Sequence, residues 1–239
     1  MATEIVQRWE SLFYDKARPL QVRLAAASAL MRHDSEGARR FSLDTLDRCG
    51  PETAIGLGIR ELLVTQGGPC DALCVLLWEG SSALRCAAAD QLAEQQEPRA
   101  ISELVGALGR HLAPPGANAP FCIAALAALT QLCPPGSQVA PRAALEAITH
   151  RLSGVRHAAA ACLLAAGPVP ALAPLLLGRL RSASGRTRFE GTEVVARLVP
   201  AADACAYLEQ VLVEESDDLL CWLARYELAQ LNAAHQQAA

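Results

Sequence analysis

The chain has 239 residues, of which 52% are hydrophobic and only 4% aromatic, and its formal net charge is −4. This charge argues against non-specific binding to duplex nucleic acid, which needs an excess of Lys and Arg, although a local basic patch stays open. Prolines and glycines interrupt the uncharged stretches at 112–141 and 158–178, so neither keeps the roughly 20 apolar residues of a membrane-spanning helix. We expect no membrane-spanning segment and a chain dominated by helices rich in alanine and leucine.

Seven copies of a short helical pattern follow one another along the chain. The clearest copies, residues 22–30, 84–92 and 155–163, each have Val or Leu first, Arg second, then an alanine block, and Leu eight positions after the start. The copies start at residues 22, 54, 84, 121, 155, 187 and 220, which are 30 to 37 residues apart. This spacing is typical of stacked helical repeats.

Turn-forming residues divide the chain into short segments in which apolar side chains recur every three or four positions, as in amphipathic helices. The first helices of the pairs are predicted at 3–14, 36–48, 69–79, 98–112, 138–151, 169–182 and 201–214. The second helices are predicted at 19–32, 52–65, 82–95, 118–132, 154–166, 186–199 and 217–232. Serines before apolar runs are predicted N-caps, namely Ser35, Ser82, Ser137, Ser153 and Ser216.

Two short helices cannot bury their apolar faces on each other alone, so each pair must pack on its neighbours. We therefore predict an all-α protein, an α-solenoid of about seven antiparallel helix pairs with no β-sheet. The loosest segment, 112–119, coincides with the longest interval between repeats and is too short to be a domain linker. We predict one repeat domain over residues 1–232 and a frayed tail at 233–239.

The pairs Val22-Arg23, Leu84-Arg85 and Val155-Arg156 each open a predicted second helix, and each is followed by alanines and a leucine. This pattern resembles HEAT repeats, an armadillo-like class of α-solenoid, and in particular the short bacterial repeats of phycobilin-lyase-like families. The resemblance implies that the second helices line the concave side of the array. It does not select a function, because HEAT arrays serve as scaffolds, adaptors, lyase subunits and DNA-lesion enzymes.

Four arginines, Arg23, Arg85, Arg156 and Arg188, occupy the same position in four repeats. The resemblance to HEAT repeats implies a structural role, in which each arginine pairs with an acid of the adjacent turn. The alternative is a basic stripe that binds an acidic partner or phosphate groups. The acids close enough in sequence to compete for these arginines are Asp34, Asp71, Asp90, Glu190 and Glu193.

Several side chains of the second helices are expected to point away from the core. They are Leu24, Cys86, Ala89, Ile123, Leu126, His157, Ala160, Phe189, Glu193, Trp222 and Tyr226. The large apolar members, Phe189, Trp222 and Tyr226, belong to the last two repeats, and such a concave face fits a groove for a partner helix or peptide. With His157 and Glu193 they are the candidate binding residues. The alternative, that the helical phase differs by one position and these residues are core, stays open, above all for Phe189.

Sequence patterns of catalytic and metal sites are largely missing. No His-Glu-x-x-His helix and no phosphate-binding glycine loop followed by Lys occurs. Cys70 and Cys74 are four residues apart, but no second Cys or His pair follows at ligand spacing. We predict no bound metal or cofactor, and we interpret the nine cysteines as reduced, mostly buried small hydrophobic residues of a cytoplasmic protein.

These observations favour a non-catalytic scaffold or adaptor that binds a partner protein or peptide on the second helices. The alternative is an enzyme or chaperone-lyase subunit on the same solenoid, either bilin lyase-like or similar to a DNA-lesion glycosylase. The net charge and the few aromatic residues count against the DNA-binding alternative. The sequence specifies no cofactor-sized cleft, and it predicts neither the identity of the partner nor the oligomeric state.

Overall fold

The structure is a computed structural model that describes residues 2–33, 41, 44, 45, 48, 53–113, 118–134 and 136–238. These residues form thirteen α-helices and one 3-10 helix, and they contain no β-strand. The all-α class predicted from the sequence is therefore confirmed for the described part of the chain.

The α-helices are numbered here in chain order. They are α1 (Ala2–Tyr14), α2 (Leu20–His33), α3 (Ala54–Thr65), α4 (Cys70–Glu79), α5 (Ser82–Glu94), α6 (Ala100–Leu112), α7 (Ala119–Leu132), α8 (Val139–Ala147), α9 (Ser153–Ala166), α10 (Ala173–Arg181), α11 (Gly185–Leu198), α12 (Ala201–Glu214) and α13 (Asp218–Ala238). Their ends agree closely with the predicted ones except at α8, α10 and α13. The predicted helix 36–48 lies mostly outside the described residues, although Phe41, Asp44, Thr45 and Arg48 are each helical.

Three helices begin or end at residues other than the predicted ones. Helix α8 stops at Ala147, and a turn follows in which His150 Nδ1 accepts a hydrogen bond from the Leu152 backbone N–H at 3.2 Å. Helix α10 begins only after the 3-10 helix Pro170–Leu172, because Pro174 fits the first turn of an α-helix and cannot continue an earlier one. Helix α13 continues to Ala238, so residues 233–238, predicted as a frayed tail, are helical. Alanine and glutamine in this segment favour helix.

Contacts between Cα atoms divide the chain into two compact units, Met1–Ala107 and Leu108–Ala239, and the division falls inside α6. In the first unit, α2 packs on α1 and α3, and α3 packs on α4 and α5. In the second unit, α9 packs on α7, α8 and α11, and α11 packs on α10, α12 and α13. Helices α9 and α11, two second helices of this unit, thus each contact both their own first helix and the next second helix.

Leucine and alanine fill the interiors of both units. Leu63, Leu76 and Leu92 are fully buried in the first unit, and Leu126 is fully buried in the second. Close helix approach depends on small residues, most clearly at Gly191 of α11, where an added Cβ would lie 2.6 Å from Leu180 Cδ2 of α10. Burial of this apolar surface is the main force that holds the helices together.

Polar side chains directly before α3, α5, α11 and α13 accept hydrogen bonds from N–H groups of the first turn, although not always at the predicted residue. The Ser81 hydroxyl accepts from the Leu84 N–H at 3.4 Å, so Ser81 is the N-cap of α5 and the predicted cap Ser82 is already helical. At α13, Asp217 Oδ1 accepts from the N–H groups of Leu219 and Leu220 at 2.9 and 3.0 Å, a role the sequence analysis gave to Ser216. Each cap typically contributes about 1 kcal/mol to stability.

None of the described helices combines the length and the apolar character that crossing a membrane requires. Cys122 and Cys162 are buried, whereas the six other described cysteines are half-buried. The expectation that most cysteines are buried is therefore wrong for this part of the chain, and Cys49 lies outside the described residues.

Candidate binding surface

Helices α9, α11 and α13 of the second unit line an open depression of about 410 Å³, here called the α9–α11–α13 groove. Its walls are His157, Ala160, Ala161 and Leu164 of α9, Phe189, Glu190, Glu193 and Val194 of α11, and Leu223 and Glu227 of α13. Three of the predicted binding residues, His157, Phe189 and Glu193, are among them. Phe189 is half-buried in this wall, so it belongs neither to the closed core nor to a fully exposed surface.

The two predicted aromatic binding residues lie on the exposed side of α13. Trp222 is 59% exposed and Tyr226 is 49% exposed, and their rings stack with centroids 5.7 Å apart. Leu219, also 59% exposed, precedes them by three and seven residues. Residues at these spacings share one helix face, and Leu223 on the same side enters the groove. The apolar surface of α13 therefore continues from the groove to the stacked rings.

The edge of the groove is acidic. Glu193 forms an ion pair with Arg197 one turn later on α11, at 2.8 Å, in an exposed position. Partial burial, and after it the negative charge of Glu193, raises the pKa of the Glu227 carboxyl above its ordinary value. A positive group placed between these two carboxylates would relieve their repulsion.

A buried ion pair between Arg156 and Glu190, which is part of the groove wall, joins α9 to α11. Arg156 Nε and Nη2 donate to the two carboxylate oxygens of Glu190 at 2.5 and 2.8 Å. The side chains of Arg156 and Glu190 are only 5% and 8% exposed. The hydrogen bonds from Arg156 hold the pKa of the Glu190 carboxyl below its ordinary value, whereas burial opposes this shift. His157 Nε2 lies 3.9 Å from a Glu190 oxygen at the groove surface.

The four repeated arginines contact main-chain carbonyl groups at the end of the preceding helix. Arg23 Nε donates to the Phe13 carbonyl at 2.7 Å, and Arg85 Nη2 donates to the Trp78 carbonyl at 3.2 Å. Arg156 Nη1 donates to the carbonyls that follow α8, at positions 150 and 151, at 2.7 and 2.8 Å. Arg188 Nη1 lies 3.5 Å from the last carbonyl of α10. Helix C-termini have unpaired carbonyls and a negative dipole end, so a guanidinium at this place caps them.

Two of these arginines also pair with an acid of the following repeat. Glu190, one of the acids considered from the sequence, is the partner of Arg156, although the two residues are 34 positions apart. Glu215, which directly follows α12, is the partner of Arg188. Glu215 was not among the acids expected to pair with these arginines from the sequence. Through these two ion pairs, Arg156 and Arg188 each connect one helix pair to the next within the second unit.

Not all residues expected on the concave side are exposed. Ala89 and Leu126 are fully buried, so the expectation is wrong for them. Helix α7 carries no charged residue, and such a helix buries more of its circumference than one apolar stripe. Leu24, Cys86 and Ala160 are half-buried, and Ile123 is 39% exposed.

A second depression of the same unit was missed by the sequence analysis. It has a volume of about 720 Å³ and is here called the arginine depression. It is lined by Thr149, Arg151, Leu152, Ser153, Arg156, Arg179, Ser182, Ala183, Ser184, Arg186 and Thr187. These residues come from the turn before α9 and from both sides of the α10–α11 turn. The only signal in the sequence is the four arginines at positions 179, 181, 186 and 188, with no acid between them.

In the first unit, the Cys70 and Cys74 sulfur atoms lie 3.9 Å apart on α4. Burial is the main cause that raises the pKa of both thiols, which disfavours the thiolate form that binds metals. In the described part of the chain, no group of three or more His, Cys, Asp and Glu side chains is arranged to hold a metal ion.

No known family model matches this sequence, and no curated protein matches it. Among solved structures, it is similar to human deoxyhypusine hydroxylase in complex with glycerol, with a TM-score of 0.41 and 16% sequence identity over 97% of each chain. A similarity of this size assigns the present chain neither a family nor an activity.

Proposed function

We propose that this protein is a non-catalytic scaffold of HEAT-like helix pairs, a cytoplasmic α-solenoid that binds an amphipathic helix of a partner protein in the α9–α11–α13 groove. The observation that carries the proposal is the continuous apolar surface from Leu223 in the groove to the stacked Trp222 and Tyr226 rings. Large exposed apolar side chains that adjoin a depression are typical of protein-binding sites. The repeated arginine caps and the packing of successive second helices support the HEAT-like part of the proposal.

The shape of the groove fits a helix better than an extended strand. Three helices form its walls, and in the part of the chain that the structure describes no β-strand offers an edge for strand addition. A partner helix would place apolar side chains at i, i+3 or i+4, and i+7 against Phe189 and Leu223. Trp222 and Tyr226 would cover its outer side, because aromatic rings commonly dominate such contacts.

The acidic edge predicts the charge of the partner. Glu193 and Glu227 make the electrostatic potential beside the apolar surface more negative, and the pKa of the Glu227 carboxyl already lies above its ordinary value. A partner helix with Lys or Arg next to its apolar face would pair with these carboxylates. We therefore expect a basic amphipathic helix, and we expect its affinity to fall as the salt concentration rises.

The proposal is tested by selecting helical peptides from a displayed library on the purified protein and measuring their affinities for variants. We expect the selected peptides to be basic and amphipathic. The double variant Trp222→Ala/Tyr226→Ala should weaken their binding by about 100-fold, the effect of two contact residues at about 1.4 kcal/mol each.

The matched control is Val213→Ala, which removes an 86% exposed apolar side chain of α12 outside the groove. This variant should bind the peptides like the wild type. Equal affinities for the wild type and the double variant would show that the α9–α11–α13 groove is not the binding site. Circular dichroism of each variant confirms that the fold is retained.

A further inference from the structure

We propose that Cys70 and Cys74 of α4 form a binding site for a soft metal ion, Cu(I), in the first unit. The two sulfur atoms lie 3.9 Å apart, and both residues line an open depression of about 350 Å³. Thiolate sulfur is a soft ligand that favours Cu(I) over the harder ions that prefer oxygen. The site is independent of the proposed helix-binding groove, which belongs to the second unit.

Helix α4 places the two sulfur atoms side by side. It spans Cys70–Glu79, and residues four apart on a helix share one face. Leu73 and Leu77 of the same helix are fully buried, so packing holds α4 with both cysteines half-buried at the edge of the depression. The thiols are therefore close together before an ion binds, which lowers the conformational entropy that binding costs.

The distance between the sulfur atoms fits a shared metal ion better than a disulfide bond. With metal–sulfur bonds of about 2.3 Å, a separation of 3.9 Å corresponds to an S–metal–S angle of about 115°, close to that of a trigonal ion. A disulfide needs Cβ atoms about 3.5–4.5 Å apart, whereas those of residues four apart on a helix are about 5–6 Å apart. A bridging ion therefore leaves α4 intact, and a disulfide would distort it.

The depression does not supply the further ligands that a harder ion needs. In the described part of the chain no group of three or more His, Cys, Asp and Glu side chains is arranged to hold a metal ion, and Zn²⁺ sites in proteins use three or four protein ligands. Glu103 lines the depression, but its carboxylate accepts a hydrogen bond from Trp78 Nε1 at 2.8 Å. The prediction of no bound metal rested on the missing second ligand pair, which Cu(I) does not require.

An ion that binds here replaces the two thiol protons, which are released to solvent. Burial is the main cause that raises the pKa of the Cys70 and Cys74 thiols, so both are protonated at neutral pH. Only an ion that forms strong bonds to sulfur displaces these protons. Mg²⁺ and Ca²⁺, which prefer oxygen ligands, do not.

The test titrates the reduced full chain with Cu(I) under anaerobic conditions, in competition with the chromophoric chelator bicinchoninate. We expect the pair to hold one Cu(I) per chain. Cys70→Ser and Cys74→Ser should each weaken this binding by at least about 100-fold, because changes at residues that only contact a metal ligand already cost about 10–100-fold. Both cysteines are half-buried, and circular dichroism checks that the variants keep the fold.

The matched control is Cys86→Ser, which removes a half-buried cysteine of α5 that is outside the lining of the depression. This variant should bind Cu(I) like the wild type. Equal losses in all three variants, or unchanged binding in Cys70→Ser and Cys74→Ser, overturn the proposal.

Two measurements on the wild type do not depend on the folding of a variant. X-ray absorption of the Cu(I)-loaded chain should show at least two sulfur ligands, and a spectrum with only nitrogen and oxygen ligands would overturn the site. Competition with a zinc chelator measures the affinity for Zn²⁺. Tighter binding of Zn²⁺ than of Cu(I) would show that the proposed class of ion is wrong.

Discussion

Replacement of Glu190 by Gln tests the buried ion pair that connects α9 to α11. The variant keeps the shape of the side chain but leaves the Arg156 guanidinium buried without its counter-charge. Breaking a buried ion pair by removing one partner typically costs about 3–5 kcal/mol. We expect a loss near the lower end, about 3 kcal/mol, because Arg156 keeps two carbonyl acceptors. For a chain of this size such a loss lowers Tm by about 6–12 °C.

The free energy of unfolding is measured by urea denaturation, followed by far-ultraviolet circular dichroism, at several pH values. Because the pKa of Glu190 is lowered on folding, its ion pair contributes fully above the ordinary pKa of about 4.5 and loses its contribution as pH falls through the folded value. The difference between wild type and Glu190→Gln should therefore be constant from pH 7 to about pH 5 and shrink at lower pH.

The matched control is Glu193→Gln on the same helix. Glu193 pairs with Arg197 at the surface, where both side chains are about half exposed or more, and such pairs contribute about 0–1 kcal/mol. A loss of stability in Glu190→Gln that is no larger than in Glu193→Gln would show that the buried ion pair does not stabilise the fold. A difference from wild type that does not depend on pH would show the same.

Three further predictions concern the packing, and each is tested by urea denaturation of the variants. Gly191→Ala should lower the free energy of unfolding by about 1–3 kcal/mol, because the added Cβ would lie 2.6 Å from a leucine methyl of α10. The control Gly109→Ala, where no atom lies within 4 Å of the added Cβ, should raise the free energy of unfolding by up to about 1 kcal/mol. Equal effects of the two variants would contradict the close approach of α10 and α11. Phe121→Ala should cost about 3–5 kcal/mol because the ring is fully buried, and a cost below about 1 kcal/mol would disprove this burial. Trp222→Ala/Tyr226→Ala should change stability by less than about 1 kcal/mol, and a larger loss would mean that these rings hold the fold together.

Much of the helical architecture could be predicted from the periodic placement of leucine and alanine. Helix α12 was predicted with the boundaries 201–214 that the structure has, and Pro200 directly precedes it. Prediction was poorer at α8, which stops at Ala147 before a turn that includes His150, and at α10, where Pro174 lies in the first turn. Such details depend on geometry that apolar spacing does not encode.

The binding surface was predicted only in part from the sequence. Helical spacing was sufficient to place Trp222 and Tyr226 away from the buried face of α13. It was not sufficient at Leu126, because the exposure of a uniformly apolar helix depends on how many neighbours pack around it. The arginine depression was missed because the turns that form it, around residues 151 and 183, are distant in sequence and come together only in the folded unit.

The most direct test of the proposed scaffold function is photo-crosslinking of a selected basic amphipathic peptide to the protein. A photoreactive phenylalanine analogue is placed at position 226 beside the groove or, as a control, at position 213 on the exposed side of α12. We expect a crosslink from position 226 that excess unlabelled peptide removes, and no crosslink from position 213. Crosslinking of equal strength from both positions, or from position 213 alone, would contradict this expectation.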